Sequence, residues 1–263
     1  MINPDELGHR VSLPVTTPSL WCVASLVSEG KVTIMADELL IEQRGHVAVL
    51  TINRPEARNA INRATALAID AALNDAATND DIWVVVLTGA GDKAFSAGMD
   101  LKAFATGEFP ITENGFGGIT QRIFPKPLIA AVNGSALAGG FEIMISCDMV
   151  VAAEHASFGI PEAKRGLIAG GGGLIRLAKR IPLAIAYEMA LTGDPVTAER
   201  AFSLGLVNQV VPAEQLLDAA LALAERIAAN APLAVRTSKS VVRQSLELTE
   251  AEAWELNLSL IHI

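Results

Sequence analysis

The chain is poor in nucleophiles, metal ligands and basic runs. It holds two cysteines, Cys22 and Cys147, and no CxxC. That removes a disulfide framework and a thiolate zinc site. Its four histidines, His9, His46, His155 and His262, fall at no metal-ligand spacing, so no metal is expected. The net charge is −9 without a long Lys/Arg run. Phosphate-backbone binding needs a basic surface, so nucleic acid is not an expected partner. No apolar run is long enough to span a bilayer, and no membrane partner is expected. GxGxxG after the first strand, GxxxxGK[ST] and GxSxG are all missing, which weakens dinucleotide, P-loop and hydrolase-elbow readings. No serine–histidine set for a peptidase is evident. Carboxylates and backbone amides are left to carry the chemistry.

The 263 residues are 51% hydrophobic, enough for a large core and against disorder. The two ends differ from the middle. Residues 1–34 hold three prolines and no sustained period, and the acidic start (Asp5, Glu6) is unlike a signal peptide. Met35 followed by ADELLIEQRGHVAVLTIN reads as a natural beginning, so 1–34 is expected to be a non-native or flexible leader and the location cytoplasmic. The last six residues, LSLIHI (258–263), are encoded by CTG TCT CTT ATA CAC ATC, the end of a transposon sequencing adapter. They are expected to be an artefact that truncates the C-terminal region.

Between the ends, LLIEQR and HVAVLTIN alternate as two strands around Gly45. Asn62–Ala77 is an Ala-rich helix that Asn62 caps. IWVVVLTG and PLIAAVNG are buried strands. Residues 105–118 read as a Gly-rich mobile loop, Gly139–Ser146 as a helix start and MVVAAE as a strand. The rest is mainly helical, ending in two long helices from Glu214 and Pro232. Strands and helices in mixed order with a helical last third give an α/β fold with a helical appendage: a core over 35–212 and a helical region over 213–257.

Three glycine turns follow buried strands: FSAGMD, ALAGGFE and GLIAGGGG. Glycine there lets a backbone approach a ligand, and such turns expose amides. Two carboxylates stand out, Glu142 after the second turn and Glu162 in ASFGIPEAKRG. Singly, a Glu near a helix start is more often a partner of the helix dipole. Together, beside free amides, two carboxylates suit acid/base work on a carbonyl compound whose oxyanion is held by N–H groups.

LTINRPEARNAIN, VVLTGAGDKAFSAGMDLK, KPLIAAVNGSALAGGFEIMISCD, ASFGIPEAKRGLI and LTGDPVTAERAFSLGLVNQVVP, in this order and spacing, resemble the enoyl-CoA hydratase/isomerase, or crotonase, family over about Leu39–Val242. The resemblance implies a repeated ββα spiral core. It implies an oxyanion hole from the backbone N–H groups of Met99 and Gly139, and it gives Glu142 the task of holding and activating a water while Glu162 protonates the α-carbon. It further implies coenzyme A binding by Arg58, Ala60, the Ala97 backbone and Lys102. Coenzyme A would enter as part of an acyl-CoA thioester substrate, with no separate cofactor, and the assembly would be a homotrimer or dimer of trimers. Both acids together favour an enoyl-CoA hydratase, with a place in β-oxidation. The alternatives are a double-bond isomerase, a dehydratase of another hydroxyacyl-CoA such as a carnitinyl-CoA, and a non-catalytic acyl-CoA-binding protein. Ala169 stands where the family often has proline, and Phe141 replaces a more usual cysteine.

Overall fold

The computed structural model describes residues 32–261. Residues 1–31 of the expected leader and 262–263 of the expected artefact lie outside the described residues. Residues 32–34 belong to the first strand, and Leu258 and Ser259 belong to the last helix.

The first three strands, β1 (Val32–Ala36), β2 (Leu39–Arg44) and β3 (Val47–Ile52), form an antiparallel ribbon. Gly45, at φ 56°, makes the turn expected from its lack of a side chain. The short 3₁₀ turn Pro55–Ala57 leads to α1 (Arg63–Thr78). Asn62 caps α1 by accepting from Thr65 N at 2.8 Å. The helix buries Ala66, Ile69, Ala72, Leu73 and Ala76, one face at helical spacing.

β4 (Val84–Gly89) then pairs parallel with β3. From here strands alternate between two sheets. β4 is followed by short β5 (Ala94–Ser96) and α2 (Leu101–Ala105). After a hairpin, β6 (Ile111–Thr112) and β7 (Gly115–Phe116), come β8 (Leu128–Val132), short β9 (Ser135–Leu137) and α3 (Gly139–Ser146). β10 (Met149–Ala153), short β11 (Ser157–Gly159), the 3₁₀ turn Pro161–Arg165 and α4 (Gly173–Arg180) repeat the unit. This is the repeated ββα spiral. The remainder is α5 (Leu183–Thr192), β12 (Val196–Thr197), α6 (Ala198–Ser203), β13 (Gln209–Val211), α7 (Leu216–Ala228), α8 (Pro232–Gln244) and α9 (Glu250–Ser259). Strands β1–β4, β8 and β10, with the short β13 at the edge, build a seven-stranded sheet, and β5, β9, β11 and β12 a four-stranded sheet.

The period-two alternation of the long strands sorts the core. Val84, Val86, Ile129 and Ala131 face Leu216, Ala220 and Ala224 of α7. Val85, Leu87, Ala130 and Val132 face the larger cluster with α1, α3 and the small sheet. Each fully buried Leu, Ile or Phe contributes about 1.5–3 kcal/mol from desolvation.

Three expectations are corrected. The short strands β5, β9 and β11, three residues each, escape periodicity because no alternation builds up over that length. The helical third ends in three helices, since α9 follows the two expected. Residues 111–118, expected as part of a mobile loop, form a hairpin fastened to α1, where Asn114 Nδ2 donates to Asp70 Oδ1 at 2.8 Å and Arg122 pairs with Asp70.

Candidate active site

In the small sheet β5, β9 and β11 lie side by side and parallel, in the order β11-β9-β5. Their carboxyl ends therefore share one edge. The segment after β5 carries Met99, the segment after β9 carries Gly139 and Glu142, and the segment after β11 carries Glu162. In α/β sheets, ligands meet the backbone outside the carboxyl ends of strands.

The first two turns touch. A Cβ on Gly98 (φ 91°) would come within 2.8 Å of Gly139 N. A Cβ on Gly139 would lie 2.5 Å from the Phe116 ring, and one on Gly140 would meet the Ser96 carbonyl. The glycine pair is thus demanded by close packing on both sides. Just before the pair, Ala138 takes φ 52°, ψ −128°, a conformation that disfavours a side chain and stores strain at the start of α3.

Ile61 N donates to Gly98 O at 2.8 Å and Asp100 N to Ile61 O at 2.9 Å. These bonds flank Met99 in a parallel bridge, so Met99's own N–H faces away from Ile61. Among the described residues, neither Met99 N nor Gly139 N donates to a backbone acceptor across turns and loops. Both expected donors are therefore available.

Glu142, 4% exposed, lies in the first turn of α3. Its Oε1 accepts from Gly173 N at 3.0 Å. A Cβ on Gly171 would strike Oε2 at 2.6 Å. The glycine run of 170–173 therefore wraps this carboxylate. Burial pushes the Glu142 carboxyl above its usual range, while the amides of Gly173 and Gly171 and the charge of Arg176 pull it back in part. Glu162 follows Pro161 in the 3₁₀ turn. Burial raises it as well, its own backbone amide pulls it back in part, and the nearby Glu142 charge raises it again. Its Oε2 is buried without a partner. Both carboxyls are held above the usual range, but their surroundings differ: Glu142 meets the Gly173 and Gly171 amides and the charge of Arg176, whereas Glu162 has a like charge nearby and one buried oxygen without a partner.

The expected coenzyme A residues also converge. Exposed Arg58, at φ 54°, ends the Pro55–Ala57 turn, and its carbonyl accepts from Ala97 N at 3.0 Å. That amide is committed to Arg58. Ala60 is nearly buried, and its carbonyl accepts from Arg54 Nη1. Arg54 Nη2 in turn donates to Asp100 Oδ2 at 2.9 Å. Asp100 caps α2 through the amides of Lys102 and Ala103. Burial opposes its charge, but the Ala103 amide, Arg54 and the Lys102 amide outweigh it and hold the carboxyl below its usual range. Lys102 stands exposed in the first turn of α2.

Sequence reasoning missed Arg54, Asp100, Gly171, Gly173, Arg176 and Phe116. The signal for Gly171 and Gly173 was present as the glycine run, but its partner is a protein carboxylate 31 positions from Gly173 in the chain. Cys147 is no candidate nucleophile: burial pushes its thiol up to about 12.

A sequence model of the enoyl-CoA hydratase/isomerase family matches residues 42–262. The chain belongs to that family. A carnitinyl-CoA dehydratase of Salmonella arizonae is 42% identical to it over 224 residues, 84% of this chain and 85% of the relative. An enoyl-CoA hydratase structure from Mycobacterium tuberculosis shares 49% identity at a TM-score of 0.83, covering 86% of this chain and 89% of that one. A carnitinyl-CoA hydratase structure from Mycobacterium avium shares 46% identity at a TM-score of 0.78, covering 87% and 90%. The crotonase-like fold read from the sequence is the fold of these neighbours.

Proposed function

We propose that this family member is an enoyl-CoA hydratase, a hydro-lyase that adds water across the trans-2 double bond of an enoyl-CoA to give a 3-hydroxyacyl-CoA. The observation that carries the reading is the pairing of two buried carboxyls, Glu142 and Glu162, with different partners at the strand edge that also bears the Met99 and Gly139 amides.

In the proposed mechanism the thioester oxygen accepts from Met99 N and Gly139 N. Enolate charge developing there is stabilised by fixed donors, and loss of one such donor costs about 3–4 kcal/mol in other enzymes. Glu142, ionised and cradled, orients a water and takes its proton as the oxygen attacks the β-carbon. Glu162, protonated, delivers its proton to the α-carbon. One O–H bond of water, the Glu162 O–H bond and the C=C π bond break, C–O and C–H bonds form, and the proton taken up by Glu142 passes back to Glu162 to restore the starting pair. The reverse sequence is dehydration. Coenzyme A arrives with the substrate, with Arg58 and Lys102 as its phosphate partners and Ala60 and the Ala97 carbonyl beside it, so no separate cofactor takes part. The setting proposed is cytoplasmic, and the assembly a homotrimer or dimer of trimers.

The relatives named as carnitinyl-CoA dehydratases support a second reading, dehydration of a hydroxyacyl-CoA of that kind in the same pocket. Loss of the enoyl-thioester absorbance across a chain-length series of trans-2-enoyl-CoAs, run beside carnitinyl-CoA, tests both. Turnover of the enoyl series is expected. Turnover of carnitinyl-CoA alone selects the second reading, and turnover of neither substrate class removes both.

A further inference from the structure

The guanidinium of Arg176 in α4 lies where three segments meet. Its Nη1 donates to Gly171 O at 3.2 Å, and its Nη2 donates to Thr120 O. Gly171 and Gly173 enclose the Glu142 carboxylate. Thr120 N donates to Phe116 O at 3.3 Å, and the Phe116 ring packs against Gly139. A Cβ on Gly172 (φ 91°) would strike Arg176 Nη1, so the glycine there is what lets the side chain lie under the run.

We propose that Arg176 is a positioning residue whose single guanidinium braces both the glycine cradle of Glu142 and, through Thr120 and Phe116, the amide of Gly139. It needs no contact with substrate to do so. Two planar N–H directions reach two carbonyls on separate segments, which a lysine ammonium on a flexible stem does not reproduce. The inference rests on the hydration reading for its kinetic consequences but not for its geometry.

The charges around this brace are limited in number. Arg176 faces Glu142 as a counter-charge and Arg180 and Arg243 as like charges. Glu142 faces Arg176 and Glu162. Removing the Arg176 charge takes away a stabiliser of ionised Glu142. The acidic limb of the pH–rate profile, which reports formation of the Glu142 carboxylate, then moves to higher pH.

The test compares full-chain wild type with Arg176→Gln and Arg176→Lys in two measurements. The first is hydration of trans-2-butenoyl-CoA. A displaced cradle is expected to lower kcat by about tenfold or more, with KM little changed because Arg58 and Lys102 lie on other segments. The second needs no turnover: ¹³C-carboxyl NMR titration of Glu142, assigned with Glu142→Gln, and hydrogen exchange of the Gly139 amide. In Arg176→Gln the Glu142 midpoint should rise and Gly139 exchange should quicken. In Arg176→Lys the midpoint should return towards wild type, while kcat stays low and Gly139 exchange stays fast.

Full recovery of kcat and exchange in Arg176→Lys overturns the bracing role, because charge alone would then suffice. An unchanged Glu142 midpoint and unchanged Gly139 exchange in Arg176→Gln overturn the whole proposal. If Arg176→Gln does not fold, the lysine variant decides by the same exchange readout. An inactive wild type sinks the hydration reading, while the NMR and exchange data still decide the brace.

Discussion

At the scale of single residues, the proposed site rests on two glutamates of the same type in different surroundings. Glu142 has amide donors and a cation, whereas Glu162 has a buried oxygen without a partner. Glu162→Gln should therefore trade activity for stability. Its kcat for hydration is expected to fall about 10²–10⁴-fold with the loss of the proton donor. The stability effect follows from linkage. The folded carboxyl is raised, so its contribution is fully present below the ordinary carboxyl range and is lost as pH rises through the folded value. Glutamine does not titrate, so the melting temperature of the variant should gain on wild type as pH increases from that range towards 8. Calorimetry across this range checks it, and a gap that does not widen with pH would contradict the assigned environment. Both glutamates were legible in the sequence as candidates. Their separate tasks came only with the family resemblance, and the physical difference between their settings was not legible, because the Gly173 amide that bonds Glu142 is 31 residues away.

At the scale of elements, local chemistry explains the frame and long-range packing explains the turns. α1 starts where an Asn side chain replaces a missing backbone acceptor, and both the Thr65 amide and the Thr65 hydroxyl bond to it. Asn62→Ala is expected to cost about 1 kcal/mol. Because Asn62 follows Ile61, which bridges to Met99, the variant should also lower kcat. Urea denaturation and enoyl-CoA turnover check the two effects, and an unchanged midpoint would show that the cap is dispensable. The cap, the long strands and the start of α3 were readable because each follows from neighbours in the chain. β5, β9 and β11 were not. A three-residue strand has no period of its own and exists because its parallel neighbours offer hydrogen-bonding partners.

At the scale of the whole molecule, the seven-stranded sheet carries a core on both faces. The last two helices lie at the margin, for neither α8 nor α9 buries a side chain. Trp254 is 57% exposed. Removal of residues 249–263 should leave cooperative unfolding intact and shift the melting temperature by no more than about 4 °C, the equivalent of about 1 kcal/mol in a chain of this size. Circular dichroism melts check this, and loss of cooperativity would show that α9 supports the core despite its exposure.

Composition and local pattern alone determined that this chain folds as an α/β protein with a helical end, and they left carboxylates and amides as the candidate chemical groups. The ordered motifs identified the family. The apolar alternation of strands and the cap of α1 are local in origin, so they are written in consecutive residues. Only the tertiary structure decided that the three candidate turns share one sheet edge and that the glycine run encloses Glu142. It also decided that Arg54 and Asp100 join the expected coenzyme A segments, and that Arg176 ties the cradle to the turn beside Gly139. Each of these is a contact between groups far apart in sequence, specified by how two sheets pack rather than by any neighbouring residue.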